Sequence, residues 1–487
     1  MTSHMLRLGR QTLVYGMSTV SVQLFGLITL PVVARVFTTS EYGVLELVTS
    51  AATVVGVFVD LGLASASQRS FYDYSDAQPE QRRRVLSTTA VVCLASAFIL
   101  AGVLVVVRRP LAGYLFHAPG RGNLILIAAL SLPLGWLLNF TREVMRLHFR
   151  VWQYLASSLV AGLLATAFVL VALLALHMKA AGVLWSVIVG GGVAVAYGIT
   201  VVRHDVGGGF SVPELRKMLA YGLPLVPTAL ALWALALIDR LMLSRLSNLS
   251  QVGEYAMANR LALILTLGGT AFATAFAPFM LSLYAEDPEH EKVVRARALT
   301  AMGLAFAVVT VLVALFAREF FQVLAPKFDT AYEAVGLLCF GLATYGLSNI
   351  ALGGISLARR TASLLIYSGI AAAANIGLNF LVIPAWGMLG AAVATAAAYM
   401  LLFGLYYFTA QRVYRTPYQL GRLVRLAAIT AAAVSVGAIP IEPVALALVL
   451  KVAVFGLFLL SLRLTGVLEG DDLLALRTIV RTRRLPA

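Results

Sequence analysis

Apolar stretches of about 20 residues recur along the whole chain, and they limit its possible folds more than any other feature. A helical stretch of this length matches the thickness of the bilayer hydrocarbon. The composition agrees, because 60% of the 487 residues are hydrophobic and 12% are charged, against about 25% charged in soluble domains. These values exclude an ordinary soluble enzyme, a disordered chain and a disulfide scaffold. We predict an all-α polytopic membrane protein.

About fourteen transmembrane helices are predicted from these stretches. Several contain proline, which membrane helices tolerate because neighbouring helices satisfy the freed backbone groups. The segment MTSHMLRLGR leads into the first helix without a small-residue cleavage site, so we interpret that helix as a membrane span and not a removable signal. The predicted spans are 12–36, 42–65, 84–107, 123–141, 153–177, 181–202, 222–243, 253–285, 298–317, 333–357, 362–384, 388–409, 426–441 and 443–463.

The distribution of basic residues predicts the orientation of these helices. The chain has 37 lysines and arginines against 22 acidic residues, a net charge of +15. With the N-terminus in the cytoplasm, 26 of the 37 fall in cytoplasmic segments, 8 in outer segments and 3 inside spans. This asymmetry follows the positive-inside rule and predicts that both termini are cytoplasmic. Because membrane topology accounts for most of the excess charge, we expect no nucleic-acid partner.

Landmarks of the first half of the chain recur in the second half. Tyr15-Gly16 opens the first span, and Tyr221-Gly222 opens the seventh. Glu41-Tyr42-Gly43 follows the first span, and Gly253-Glu254-Tyr255 follows the seventh. An even number of helices per repeat gives both copies the same orientation, with an axis along the membrane normal. We therefore predict two parallel six-helix lobes around a central cavity, plus two C-terminal helices.

The repeat divides the chain into three predicted regions. The N-lobe takes residues 1–205 and spans 1–6, and the C-lobe takes residues 206–411 and spans 7–12. Residues 412–487 form the two further spans and a basic cytoplasmic tail. Very short outer turns, HMKAAG and AWGMLG, are predicted to join the last two spans of each lobe.

Three segments that carry these landmarks resemble signatures of the O-antigen and capsule polysaccharide flippases. These flippases belong to the multidrug/oligosaccharidyl-lipid/polysaccharide (MOP) exporter superfamily. The segments are LITLPVVARVFTTSEYGVLEL, YGLPLVPTALALWALALIDRLMLSRLSNLSQVGEYAMANR and LNFLVIPAWGMLGAAVATAAAYM. The resemblance covers nearly the whole chain. It implies a flippase that moves undecaprenyl-pyrophosphate-linked oligosaccharide from the cytoplasmic to the outer leaflet of a bacterial inner membrane by alternating access.

The resemblance also implies the partners of such a flippase. They are the lipid-linked oligosaccharide itself, membrane lipid, the polysaccharide polymerase and the glycosyltransferases that build the repeat unit.

Two other transporters of the same fold stay open as alternatives. Lipid II flippases also have two extra C-terminal helices, but they usually place arginines within the first span, whereas residues 12–34 carry no charge here. A multidrug or cation antiporter would favour acids over arginines in its cavity, and the deep charges here are mixed.

A membrane glycosyltransferase or polymerase is an alternative of a different class. Such enzymes generally need a sizeable polar loop with acids or an activating base. The longest outer loops, near 108–122 and 318–332, have about 15 residues and few acids. The chain has no HExxH, CxxC, GxSxG or Walker A motif. We therefore predict a protein that is not an enzyme and has no cofactor and no metal site.

Basic residues within or beside the spans are the candidate cargo ligands, since a charge in hydrocarbon is costly. Arginine suits the implied pyrophosphate because its planar fork pairs bidentately with phosphate oxygens. We predict that the cavity binds the pyrophosphate through Arg35, Arg240, Arg260 and Lys451. The alternative for Arg35 is a snorkelling side chain at the interface. The alternatives for Arg240 and Lys451 are structural pairs with carboxylates or other partners on neighbouring helices.

Five further residues complete the predicted site. Arg69, Arg146 and Arg150 lie at the inner ends of N-lobe spans, where they are candidates for a cytoplasmic gate that captures the pyrophosphate. Their alternative is a purely topological role under the positive-inside rule. Asp60 and Asp239 are the deepest acids, and each is a candidate to carry a coupling proton or to bind Na⁺. Their alternative is pairing with a cavity arginine.

Overall fold

The computed structural model describes residues 28–75, 77–358, 362–437, 439 and 444–468, together with residues 18, 21, 25 and 26. All longer regular elements in this part of the chain are helices. They are α1 (28–36), α2 (Thr39–Asp60), α3 (Leu63–Tyr72), α4 (Pro79–Phe116), α5 (Gly122–Leu147), α6 (Val151–Leu174), α7 (Lys179–Val202), α8 (Val212–Gly222), α9 (Val226–Leu246), α10 (Leu249–Ala262), α11 (Ile264–Glu286), α12 (Pro288–Leu324), α13 (Tyr332–Leu357), α14 (Ala362–Val413), α15 (Leu420–Gly437) and α16 (Val444–Leu464).

Eleven helical segments in the described part of the chain are long and apolar enough to cross a membrane. The chain is a multi-pass membrane protein, and the predicted all-α fold is confirmed. The count differs from fourteen at three places. Most of the first predicted span lies outside the described residues. Span 253–285 is divided between α10 and α11, and spans 362–384 and 388–409 are joined in α14. Much of the predicted C-terminal tail also lies outside the described residues.

Helix α14 is broken at Gly387. The backbone there has φ 53° and ψ −128°, which is not helical and which glycine adopts without a steric penalty from a Cβ. The side-chain oxygen of Gln251 accepts a hydrogen bond from the N–H of Met388 at 2.7 Å, so one donor at the break is satisfied. The two arms of α14 correspond to the two predicted spans, and the short turn predicted at AWGMLG is confirmed.

The boundary between α2 and α3 interrupts the predicted span 42–65. Helix α2 ends at Asp60, after which Leu61 and Gly62 adopt positive φ angles of 52° and 72°. The Asp60 carboxylate then accepts a hydrogen bond from the N–H of Ala64 at 3.2 Å. Asp60 therefore stabilises the first turn of α3, where exposed N–H groups and the helix dipole favour a negative charge.

Helices α2 and α10 cross with their backbones in direct contact. A Cβ placed on Gly43 would lie 2.1 Å from the carbonyl oxygen of Leu249, and one on Gly253 would lie 1.9 Å from that of Thr39. The hydroxyl oxygens of Thr39 and Ser250 are 2.6 Å apart at the same crossing. Only glycine fits at the two central positions. The crossing brings together Glu41-Tyr42-Gly43 and Gly253-Glu254-Tyr255, the landmarks that are predicted to occupy corresponding places in the repeat.

The chain forms two compact units. Unit 1 comprises residues 1–256, 324–328 and 362–398, and unit 2 comprises residues 257–323, 329–361 and 399–487. In unit 2, apolar side chains of α12, α15 and α16 form a core that includes Val311, Leu426 and Phe458. The units combine segments from both halves of the predicted repeat, and the division into lobes at residues 205 and 411 stays a prediction.

Candidate functional site

Helix α9 places two charged residues in the interior of unit 1. Asp239 is 1% exposed and Arg240 is 4% exposed, in a helix whose other central residues are apolar. Burying a charge in a membrane span is costly unless hydrogen bonds or an opposite charge compensate it. The partners of these two side chains therefore determine what the site can do.

Three neutral side chains donate hydrogen bonds to the Asp239 carboxylate. The Tyr255 hydroxyl and the Thr395 hydroxyl each lie 2.6 Å from Oδ2. The amide nitrogen of Asn379 lies 2.7 Å from Oδ1. Tyr255 belongs to α10, and the other two donors belong to the two arms of α14. Hydrogen bonds to an ionised acceptor are the stronger kind, so these three compensate the buried charge without a cation.

Two asparagines extend this cluster by one turn of α14. Asn379 also donates to the Oδ1 atom of Asn375 at 3.1 Å, and both side chains are fully buried. Asn379 Oδ1 and Asn375 Nδ2 make no hydrogen bond within the described structure. Asn375, Asn379, Thr395 and Asp239 therefore form one hydrogen-bonded group, in which the amide nitrogen of Asn379 faces the carboxylate. We call these four residues, with Tyr255, the Asp239 cluster.

Arg240 contacts a different helix from its neighbour. Its Nε atom lies 3.3 Å from the Oε2 atom of Glu46 in α2, and the Glu46 side chain is 15% exposed. A second guanidinium nitrogen donates to the carbonyl of Ala236 at 2.9 Å. Side chains of adjacent helical residues point about 100° apart, which explains why Asp239 takes other partners. This ion pair matches the structural alternative for Arg240, and pyrophosphate binding by Arg240 stays a prediction.

Lys451 has a carboxylate partner in unit 2. Its Nζ atom lies 2.7 and 2.8 Å from the two carboxylate oxygens of Glu319, so α16 is tied to α12. Lys451 is 1% exposed, which makes such a partner necessary. Glu319 is therefore a structural partner of Lys451, and pyrophosphate binding by Lys451 stays a prediction.

The other two predicted pyrophosphate ligands are less enclosed. Arg35 is exposed, and its backbone carbonyl accepts a hydrogen bond from Lys327 at 2.6 Å. Arg260 is half-buried on α10. Arg35 and Arg240 belong to unit 1, whereas Arg260 and Lys451 belong to unit 2. Joint binding of one pyrophosphate by all four stays a prediction.

The three predicted gate arginines have partners at helix ends of unit 1. Arg150 forms an ion pair with Asp205 at 2.5 Å and donates to the carbonyl of Val201 at 2.8 Å. Arg146 forms an ion pair with a glutamate one turn earlier on α5. The exposed Arg69 guanidinium lies 4.6 Å from the centre of the Tyr221 ring. These contacts are consistent with a structural role for the three arginines, and their role as a cytoplasmic gate for pyrophosphate stays a prediction.

A cavity of about 680 Å³ in unit 1 includes the second predicted acid. Asp60 lines it from the end of α2, and Trp136, Asn139 and Glu143 line it from α5. We call it the Asp60 cavity. Asp60 and Asp239 therefore differ in their surroundings, because Asp239 is enclosed by hydrogen-bond donors and Asp60 borders open space.

Sequence reasoning identified Asp239 and Arg240 but missed the partners of Asp239 on α14. A signal for the asparagines was present, because Asn375 and Asn379 lie four residues apart in the apolar run AAAANIGLNFL. That spacing places both on one face of a helix. Thr395 carried no such signal, since threonine hydroxyls in membrane helices commonly bond to their own backbone.

The comparisons with known proteins agree with this architecture. A sequence model of a family described as polysaccharide biosynthesis protein matches residues 8–284. None of the curated proteins matches the chain's sequence. The structure is similar to that of the lipid II flippase MurJ in an inward-closed conformation, with 12% identity and a TM-score of 0.72. That match covers 92% of this chain and 98% of MurJ.

Two MATE transporters share the fold. An inward-facing MATE transporter of the MOP superfamily is 14% identical, with a TM-score of 0.62 over 83% of this chain and 95% of its own. A mutant of the Vibrio cholerae MATE transporter VcmN is also 14% identical, with a TM-score of 0.60 over 85% and 98%. The fold is that of MOP transporters, as the resemblance predicted. Because the family model matches more than half of the chain, the protein belongs to the polysaccharide biosynthesis protein family.

Proposed function

We propose that the protein is a flippase for undecaprenyl-pyrophosphate-linked oligosaccharide. It moves repeat units from the cytoplasmic to the outer leaflet of a bacterial inner membrane, with both termini cytoplasmic, and supplies polysaccharide such as O-antigen or capsule. The lipid-linked oligosaccharide is made by glycosyltransferases and used by a polymerase, which are its proposed functional partners. Alternating access exposes the cargo site first to one side of the membrane and then to the other.

The buried Arg240 side chain is the observation that carries this proposal. A guanidinium can pair with two phosphate oxygens at once, and the Nε atom of Arg240 lies 3.3 Å from a Glu46 carboxylate oxygen, longer than the about 2.7–2.9 Å of a strong charge-assisted hydrogen bond. A pyrophosphate group therefore competes with Glu46 for Arg240 in the membrane interior. Exchange between the two anions keeps the buried Arg240 charge paired both with and without cargo.

The Asp239 cluster supports a coupling ion in the same helix. One carboxylate, two amides and two hydroxyl groups form a buried polar site with a single negative charge. Such a site suits a proton or a small monovalent cation such as Na⁺. Asp239 and Arg240 are adjacent on α9. A cation bound at Asp239 and a phosphate bound at Arg240 therefore each change the net charge of the same part of this helix.

A lipid II flippase is the second candidate. The structural similarity to MurJ, at a TM-score of 0.72, is the observation that favours it. Lipid II also presents a pyrophosphate, so Arg240 would serve both cargoes, and the attached sugars would distinguish them. An antiporter of organic cations would use the Asp239 cluster but would have no use for Arg240. The proposal contains no catalytic step.

Transport in proteoliposomes tests the proposed function. Purified protein would be reconstituted with a fluorescent polyprenyl-pyrophosphate oligosaccharide, and translocation measured by access of an external lectin. We expect transport by the wild type and by Arg83→Ala, a control that removes an exposed arginine paired with Glu80. We expect none by Arg240→Ala. Transport of an organic cation in place of the lipid-linked sugar would contradict the proposal.

A further inference from the structure

The lining of the Asp60 cavity does not suit pyrophosphate. Its volume of about 680 Å³ is within the range of about 300–1,000 Å³ that is usual for small-molecule sites. Trp136, Asn139 and Glu143 lie three and four residues apart, so they form one face of α5. None of the described lining residues is a lysine or an arginine. The pyrophosphate would find no opposite charge here, and the cavity is suited to another part of the cargo.

Both carboxylates in this cavity already have a partner. Asp60 accepts a hydrogen bond from the first turn of α3, and Glu143 forms an ion pair with Arg146. Glu143 Oε1 nevertheless has no hydrogen-bond partner in the described structure. The carboxylates therefore offer hydrogen-bond acceptors to a ligand, and the charge of Glu143 is balanced by Arg146.

Hydroxyl groups in the lining also act as acceptors. Thr53, Ser67 and Ser131 each donate their proton to a backbone carbonyl one turn earlier in their own helix, at 2.8, 2.9 and 2.7 Å. Their oxygen lone pairs remain able to accept. A ligand that matches this lining carries many O–H donors and no net charge.

Trp136 adds a flat apolar surface to these acceptors. Its ring is stacked on Phe140, with centroids 5.0 Å apart and planes 17° apart, so the indole is held in one orientation. A sugar ring has an apolar C–H face and hydroxyl donors around its edge. An aromatic surface beside several acceptors matches both features.

We propose that the Asp60 cavity binds a neutral sugar of the lipid-linked oligosaccharide. Trp136 packs against the sugar ring, and Asp60, Asn139 and Glu143 bind its hydroxyl groups. This assignment rests on the proposed function, and it separates the sugar site from the pyrophosphate site at Arg240. The protein then recognises the glycan itself as well as the carrier lipid.

Binding of the sugar without its lipid tests this proposal. The repeat-unit oligosaccharide would be released by mild acid from the lipid-linked pool and titrated calorimetrically into the full chain in lipid nanodiscs. We expect saturable binding that Trp136→Leu and Glu143→Gln each weaken by about tenfold or more. Trp152→Leu, which removes an exposed tryptophan, and Glu80→Gln, which breaks another pair three residues apart, are the matched controls and should bind normally. Elution from a sizing column would confirm that all variants are folded.

Two further probes separate failure of this proposal from failure of the proposed function. Inorganic pyrophosphate should bind in a manner that depends on Arg240 and not on Trp136. If it does so while the oligosaccharide does not bind, the sugar site is refuted and the flippase proposal stands. Tetramethylammonium binding that depends on Trp136 and Glu143 would also refute the sugar site. Oligosaccharide binding that Arg240→Ala leaves unchanged, with loss in Trp136→Leu, would support it.

Discussion

Asp239 and Arg240 are adjacent in the chain, yet their side chains bind to different helices. Asp239 accepts hydrogen bonds from α10 and α14, whereas Arg240 approaches Glu46 in α2. Helix α9 therefore connects two sets of polar partners within unit 1. A movement of α9 that breaks one set must also disturb the other, and this is the physical route that we propose from ion binding to cargo binding.

Replacing Asp239 by asparagine should abolish ion coupling. Asparagine keeps the size of the side chain but cannot bind a proton or attract a cation at this depth. We expect proteoliposome transport by Asp239→Asn to lose its response to a proton or sodium gradient, while Asp287→Asn, at an exposed position between α11 and α12, responds normally. Running the two gradients separately identifies the ion. A normal gradient response in Asp239→Asn would remove the Asp239 cluster from the coupling mechanism.

The Arg240–Glu46 pair permits a test that separates stability from transport. Arg240→Ala leaves Glu46 largely buried without its cation, and breaking such a pair typically costs about 3–5 kcal/mol. Adding Glu46→Gln removes the unpaired charge, so the double variant should regain most of the thermal stability in detergent. It should still fail to transport, because pyrophosphate has lost its ligand. Recovery of transport in the double variant would show that Arg240 is only structural.

The crossing of α2 and α10 should open during transport. Thr39 and Ser250 hydroxyls are 2.6 Å apart, so cysteines at both positions can reach disulfide geometry with a small adjustment. In a background where Cys93 and Cys339 are replaced by alanine, we expect oxidation of Thr39→Cys/Ser250→Cys to stop transport and reductant to restore it. Each single cysteine variant serves as the control. Undiminished transport by the oxidised pair would mean that this crossing stays closed throughout the cycle.

The Lys451–Glu319 pair should stabilise the contact between α16 and α12 without taking part in transport. Lys451→Met leaves Glu319 without its cation and should lower the melting temperature. This temperature is measured as the loss of the folded peak in size-exclusion chromatography after heating. Lys451→Met/Glu319→Gln should restore both stability and polysaccharide export, since neither residue then carries a charge. A stable double variant that does not export would instead support a role for Lys451 in binding pyrophosphate.

Length and hydropathy were enough to predict most of the fold, because each membrane helix must cover the same hydrocarbon thickness. Charge in an apolar segment was enough to single out Asp239, Arg240 and Lys451. Their partners could not be predicted, since pairing depends on which helices are neighbours, and hydropathy contains no such information. Glu46 and Glu319 were identified as partners only once α2 was placed beside α9 and α12 beside α16.

The pair between α12 and α16 also constrains how the protein is made. Glu319 and Lys451 are 132 residues apart, and α16 is the last membrane helix in the described part of the chain. During synthesis from the N-terminus, α12 with Glu319 enters the membrane long before Lys451 of α16 has left the ribosome. The α12–α16 contact in unit 2 is therefore completed only when α16 inserts, and a chain that stops before α16 carries the Glu319 carboxylate without Lys451.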